Sequence, residues 1–251
     1  MSGKAFFIDT TVCIGCRGCQ VACKQWNQLP ATKTENWGNY QNPKDLSYYT
    51  YKVVRFQEHI GPDSKPVWYF FPDQCRHCLE PACKEAADEV VRGGIVIDDQ
   101  TGAVLYTDKL KKVNAEDITE SCPFNIPKAQ KGTGRLAKCT MCVDRVHHGL
   151  LPACVKTCPT GAMNFGDREK MVALAKKRLR EVKSKHPNAV VTGLDDLRVF
   201  YLLVDKPKKY YRFASVDIAP RGMDRKMALR KIGKSLKELS KESKIVRRMV
   251  G

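Results

Sequence analysis

The chain has 251 residues, 43% hydrophobic and 28% charged, which is enough apolar content to build a core without disulfide support. Its net charge of +17 invites a polyanionic partner, but fifteen Lys/Arg against four Asp/Glu fall in 206–251, so +11 of the excess sits in the last fifth. No run of about eighteen apolar residues occurs, which excludes a bilayer-spanning helix, and MSGKAFFID lacks the basic-then-apolar pattern of a secretory signal.

Lys4–Asp9 predicts a short apolar strand. Four cysteines in eleven residues follow it, as Cys13-x2-Cys16-x2-Cys19-x3-Cys23. Residues 27–50, rich in Asn, Thr, Pro and Tyr, predict an irregular excursion. Lys52–Gln57 and Val67–Phe71 are β-rich runs about Gly61-Pro62-Asp63-Ser64 and predict a hairpin. A second cysteine group comes next, Cys75-x2-Cys78-x4-Cys83. Ile95–Asp98 and Val104–Thr107 flank Asp99-Gln100-Thr101-Gly102 and predict a second hairpin. Cys122-Pro123 stands alone, and the last group is Cys139-x2-Cys142-x11-Cys154-x3-Cys158-Pro159. Its long spacer, Val143 to Ala153, predicts a loop or short helix that leaves and returns. Asp167–Lys185 predicts a helix with Met171, Val172, Leu174, Ala175, Leu179 and Val182 on one side, and Arg198–Val204 a strand. Gly222–Val250 carries Leu229, Ile232, Leu236, Leu239, Val246 and Val250 at helical spacing, opposite a strongly basic face.

Thiolates two or three residues apart on a turn converge on one [4Fe–4S] core, and in the bacterial ferredoxin run the fourth Cys serves the other cluster of the pair. That rule gives Cys13, Cys16, Cys19 and Cys158 to one cluster, and Cys139, Cys142, Cys154 and Cys23 to its partner. Cys75, Cys78, Cys83 and Cys122 remain as a complete third set, so all twelve cysteines are used and three [4Fe–4S] clusters are expected. The positions where the same spacing would place four further ligands hold Ala87, Lys112, Ala115 and Ile118. These form one matched ligand set, so the pattern reads as four sites with one deleted. Zinc also uses paired C-x2-C units, and Cys75/Cys78 or Cys139/Cys142 alone would be ambiguous; the Cys13–Cys23 run matches no usual zinc spacing. The three clusters, at about −2 each when oxidised, would also lower the net charge.

With these residues in hand, the chain resembles the four-cluster ferredoxin subunits of molybdenum or tungsten bis-pterin oxidoreductases. Within them it is most similar to the three-cluster beta subunit of soluble formate dehydrogenases. The resemblance is carried by FFIDTTVCIGCRGCQVACKQW (6–26), NPKDL (42–46), KVVRFQEH (52–59) and FFPDQCRHCLEPACKEAAD (70–88). TGAVLYTDK (101–109), ESCPFNIPK (120–128) and AKCTMCVDRVHHGLLPACVKTCPTGAMNFG (137–166) complete it. It covers about residues 4–170. Cys23 departs from the pattern in being followed by Lys24 rather than proline, and 221–251 has no counterpart.

The fold expected is α+β: two nested ferredoxin-like modules with β-hairpin insertions and a C-terminal helical extension. Residues 1–66 would form the first half of the outer module, with the irregular insertion and the start of the hairpin. Residues 67–127 would be the inserted module with one cluster. Residues 128–220 would be the second half of the outer module, and 221–251 a basic amphipathic helix. The resemblance implies a non-catalytic electron-transfer subunit between a large Mo/W-bis-pterin catalytic subunit and an external acceptor, a soluble or subunit-borne cytochrome or ferredoxin-like carrier. A free polyferredoxin, or the same role in another bis-pterin enzyme, is the alternative. Nucleic acid is not expected as a partner; the C-terminal helix is read as covering the protein's own body or its partner, or as touching anionic lipid. The compartment is open between the cytoplasm and a periplasm reached by co-export with the partner.

No catalytic centre is found: there is no phosphate loop, dinucleotide fingerprint or Ser/His/Asp spacing. His77, His147 and His148 are expected as packing or hydrogen-bonding residues. Arg17, Lys24, Arg76, Lys84, Lys138 and Lys156 lie beside ligands, where positive charge would favour the reduced cluster. Gly15, Gly18 and Gly161 are expected where backbone approaches a cluster.

Overall fold

The computed structural model describes residues 3–61 and 63–215. The predicted helix over 222–250 lies outside the described residues.

The elements run β1 (Lys4–Asp9), α1 (Gly18–Trp26), β2 (Val53–Ile60), β3 (Pro66–Asp73), α2 (Ala82–Asp88), β4 (Ile95–Ile97), β5 (Val104–Tyr106), α3 (Ala115–Ser121), β6 (Lys128–Ala129) and β7 (Leu136–Ala137). They continue with α4 (Val143–His147), α5 (Ala153–Lys156), β8 (Met163–Asp167), α6 (Arg168–Lys183), β9 (Val190–Thr192), β10 (Val199–Leu203) and α7 (Pro207–Tyr210). The mixture of helix and strand agrees with the expected α+β class.

One four-stranded sheet, in the order β8-β1-β10-β9, forms the frame. Strand β1 pairs antiparallel with β8 and parallel with β10. Because β1 is central, it must be apolar on both faces along its middle, and Ala5, Phe6, Phe7 and Ile8 are. Side chains alternate along it. Phe6 and Ile8 join one core, with Val199, Tyr201 and Leu203 of β10. Ala5 and Phe7 join a second, with Phe200 and Leu202. Each such fully buried aromatic or branched side chain contributes about 1.5–3 kcal/mol.

The second core is closed by α6. All six residues of its predicted apolar stripe, Met171, Val172, Leu174, Ala175, Leu179 and Val182, pack there. Asp167 stands at the helix N-cap, which places the start one residue later than the sequence suggests. The first core faces the other way, toward the cysteine-bearing loops, and includes Cys19 and Cys154.

Both predicted hairpins are present. The first is longer than expected, with Val53 opposite Asp73 and Ile60 opposite Pro66. It therefore runs without a break through residues 66 and 67, where the sequence reading divides two segments. In the second, β4 pairs with β5, and Gly102 turns the chain at φ +75° with the Arg198 side chain against it. The left-handed backbone there favours glycine, and a Cβ would also displace the Arg198 guanidinium, whose Nε would lie 2.1 Å away.

Residues 27–50 contain no helix or strand of their own beyond an isolated bridge between Ser47 and Thr50. The spacer after Cys142 is the short helix α4 followed by a turn.

Candidate metal centres

The cysteines gather into groups. Cys13, Cys16, Cys19 and Cys158 line one hollow of about 320 Å³, counting the solvent at its mouth, with Val54, Pro72 and Met163 around them. Cys75, Cys78, Cys83 and Cys122 line another of about 300 Å³, with Tyr106, Phe124 and Lys138. Between them Cys23 is buried, and the thiols that act on it are Cys139, Cys154 and Cys142. Two electrostatic influences link the groups: Cys19 acts on Cys154, and Cys75 acts on Cys139. The group around Cys23 is therefore the one that neighbours both of the others. Its four thiols are all buried, whereas Cys16 in one of those is exposed and Cys78, Cys83 and Cys122 in the other are half-buried.

Local backbone explains how short loops aim these sulfurs. In three loops the residue two places after the leading Cys takes left-handed φ: Gly15 (65°), His77 (46°) and Met141 (63°). The turn brings that residue's N–H back onto the leading sulfur, at 3.4 Å for His77 to Cys75 and 3.4 Å for Met141 to Cys139. The Gly15 N–H acts on Cys13 in the same way. A left-handed non-glycine residue carries strain of about 1–3 kcal/mol, which His77 and Met141 accept. At Gly15 a side chain would meet the Phe70 ring at 2.9 Å. The two Cys-Pro loops repeat each other as well: Asn125 and Gly161, each three residues on, have φ 54° and 68°. N–H groups two and four residues ahead, Phe124 and Ile126, hold Cys122; Thr160 and Ala162 hold Cys158. Gly18, by contrast, opens helix α1 and needs no left-handed backbone.

The electrostatics follow from crowding. Burial, and then the neighbouring Cys19, Cys158 and Cys16, push Cys13 up to about 11 against the pull of the Gly15 N–H. Burial also raises Cys83 and Cys154 to about 12. Cys158 moves the other way: despite its burial, the N–H of Met163, the Thr160 hydroxyl and N–H, and the Ala162 N–H draw it down. Four desolvated thiolates in one recess need a positive core at their centre.

No three His, Cys, Asp or Glu side chains among the described residues close on a single ion. Around one tetrahedral zinc, thiolate sulfurs stand only about 3.8 Å apart. Four-thiolate recesses with amide N–H groups on the sulfurs suit a cubane iron–sulfur core.

The histidines hold structure. His77 Nδ1 accepts from the Val104 N–H at 3.0 Å, His147 Nε2 lies 3.1 Å from Asp98, and His148 Nδ1 lies 2.7 Å from the Asp144 carbonyl. Among the flanking cations, Arg76 is fully buried and paired with Asp73 at 2.8 Å. Lys138, also buried, sits over the Tyr106 ring and favours the thiolate of Cys83. The Tyr106 hydroxyl faces Cys83 without closing a hydrogen bond of good geometry. Arg17 and Lys24 instead tie loop carbonyls, of Tyr40 and of Pro30 and Tyr49, while Lys84 pairs with Asp88. Lys52 escaped the sequence reading. It is 2% exposed and lies among Cys19, Cys154 and Cys139. Nothing in the sequence distinguishes it from a solvated lysine; only the hairpin register takes it inside.

Fold and thiol groups together define an iron–sulfur electron-transfer protein of the [4Fe–4S] type. The family model for a 4Fe-4S dicluster domain matches residues 66–168. The chain is 49% identical over 214 residues to the formate dehydrogenase 2 subunit beta (cytochrome c-553) of Nitratidesulfovibrio vulgaris, covering 84% of this chain and 98% of that protein. It is 50% identical over 212 residues to the formate dehydrogenase subunit beta of Megalodesulfovibrio gigas, with the same coverage of 84% and 98%. The formate dehydrogenase-O iron-sulfur subunit of Escherichia coli is 40% identical over 213 residues, 82% of this chain and 69% of that one. The chain belongs to the family of formate dehydrogenase beta, or iron–sulfur, subunits. No helix among the described residues is long and apolar enough to cross a membrane.

Proposed function

We propose that this chain is the electron-transfer subunit of a formate dehydrogenase and holds three [4Fe–4S] clusters. The first would be held by Cys13, Cys16, Cys19 and Cys158, the second by Cys23, Cys139, Cys142 and Cys154, and the third by Cys75, Cys78, Cys83 and Cys122. The observation that supports this reading is that two quartets of cysteines line separate hollows while three others, Cys139, Cys142 and Cys154, act on Cys23. Each cluster supplies a reversible one-electron site, and three in a line provide conduction between a catalytic partner and an acceptor.

The chain's own residues space, shield and tune these sites. Burial of all four thiols of the middle set keeps water from it, while each end set reaches the surface. A large catalytic subunit with pterin-bound Mo or W is the partner we propose on one end. The acceptor on the other is a soluble carrier; the name of the N. vulgaris relative carries cytochrome c-553, which favours a c-type cytochrome.

Nested modules fit the same reading. Residues 1–66 and 128–220 would make the outer module, supported by the pairing of β1 with β8 and the packing of α1 on α5. Residues 67–127 would be inserted between them. A deleted fourth site is supported by what stands at its positions. Ala87 and Ile118, both 0% exposed, share an apolar core with Ile95, Leu110 and Val113. Ala115 is half-buried and Lys112 exposed.

The test is anoxic affinity purification of the chain from its native host, with iron analysis and formate-dependent viologen reduction. About twelve iron per chain, and activity travelling with a large Mo- or W-containing partner, are expected. Co-purification of such a partner without formate activity would move the chain to another bis-pterin enzyme. No partner at all would make it a free polyferredoxin.

A further inference from the structure

The register of the first hairpin, Val53 opposite Asp73, sets Lys52 against Gln74 at its base. Both are buried, at 2% and 1% exposure, and Lys52 Nζ donates to Gln74 Oε1 at 2.5 Å. An ammonium has three N–H donors, and Gln74 is the acceptor the structure gives it. The Gln74 Nε2 amide has no partner at all among the described residues. A donor pair with this many buried hydrogens left over is aimed at acceptors of another kind.

Charge points the same way. The other deeply buried cations of this hairpin base, Arg55 and Arg76, share the Asp73 carboxylate. Lys52 makes no salt bridge to a carboxylate among the described residues, and a buried cation without an anion is strongly disfavoured. The groups its charge acts on are cysteine thiols and one phenol: Cys19 of the first set, Cys23, Cys139, Cys142 and Cys154 of the second, and Tyr201 beside them. The third set meets Arg76 and Lys138 instead.

We propose that Lys52 and Gln74 donate hydrogen bonds to the sulfurs of the first and second clusters, and that the fixed Lys52 charge raises the reduction potentials of this pair but not of the third. The proposal rests on the cluster assignment above. Reduction adds one electron to a cluster and Lys52 keeps its proton throughout; more positive charge and more N–H donors at the sulfurs favour the more negative, reduced form. Cys19 of the first set is the thiol Lys52 acts on most. All four thiols of the second set respond to it, however, and only that one of the first, so in sum the second cluster is affected more. Lys52 is thus a positioning and tuning residue, not a ligand.

The experiment is an anoxic redox titration, followed by electron paramagnetic resonance, of the full chain in its purified complex. Fewer than three one-electron [4Fe–4S] signals in the unaltered protein would overturn the cluster assignment, and this role with it. With three present, Lys52→Met is expected to make reduction of the second cluster at least tenfold less favourable, a shift of 59 mV or more to the negative. The first cluster moves the same way by less, and the third stays in place. Lys52→Arg, which keeps the charge, restores most of the shift. An unshifted second cluster, or an equal shift of all three, would overturn the proposal. If Lys52→Met loses its iron, Gln74→Leu decides: a negative shift confined to the first two clusters supports the donor pair, and no shift refutes it.

Discussion

The indole N–H of Trp26 donates to Asp144 Oδ2 at 2.8 Å, across 118 residues of sequence. Trp26 ends the helix that carries Cys19 and Cys23, and Asp144 opens the helix that follows Cys142. Arg145 lies over the same ring at 4.1 Å. One side chain thus clasps the first and last cysteine runs beside the middle thiol group. Trp26→Leu should loosen that group by about 1–2 kcal/mol, from one hydrogen bond and one exposed cation–π contact. Stopped-flow chelation should show faster loss of iron from one cluster, with the other two unchanged. Uniform loss from all three would mean that the clasp serves global stability instead.

Cys122→Ser tests the separation of the third set. Cys122 caps α3 and lines a hollow with Cys75, Cys78 and Cys83. Iron should fall from about twelve to about eight per chain, leaving two coupled [4Fe–4S] signals. Loss of a signal belonging to the outer pair would contradict the nesting.

What could be read from the sequence was whatever repeats. The apolar run of β1, the α6 stripe from Met171 to Val182, and the β-rich runs of both hairpins each carry a simple local pattern, and each lies where expected. The cysteine spacings carry the grouping of thiols for the same reason: a short loop limits where its sulfurs can point. Strands β6 and β7, of two residues each, have too little sequence to show a period and are set by tertiary contacts. Lys52 was illegible because lysine is almost always at the surface. Its burial follows from a ladder register, Val53 on Asp73, that depends on both strands at once.

Asp98 gives a pH prediction with a definite sign. Its Oδ2 accepts from the Thr101 N–H at 2.8 Å and the Thr101 hydroxyl at 2.6 Å, and His147 lies 3.1 Å away. Burial opposes ionisation, but Thr101 and then His147 hold the carboxyl below its usual range. A depressed pKa gives stability that is present above the unfolded value of about 3.9 and is lost only as pH falls through the folded one. Amide exchange at Thr101 and Ala103 should therefore be no less protected at pH 5 than at pH 7, after correction for intrinsic rates, because Asp98 stays ionised and His147 gains charge as pH falls. Asp98→Asn should lose about 1–2 kcal/mol of that protection at both. A gap between wild type and variant that closes on going from pH 7 to 5 would refute the assignment.

The apolar core around Ile118 is expected to act on the third set without touching it. Cys83 lies on α2 and Cys122 closes α3, and those two helices meet through Ala87 and Ile118, each 0% exposed. Truncating a buried Ile to Ala costs about 2–5 kcal/mol, depending on how far the cavity collapses. Here collapse is limited, because Ile95, Leu110 and Val113 are held by the second hairpin and the turn after it. Ile118→Ala should let α2 and α3 shift and lose the iron of the third set, about four per chain, while the other two clusters keep their signals. Ile118→Val, at about 0.5–1.5 kcal/mol, should keep all three. If Ile118→Ala keeps its iron, packing at this core is not what aligns Cys83 with Cys122, and the loop N–H bonds to Cys122 from Phe124 and Ile126 are sufficient by themselves.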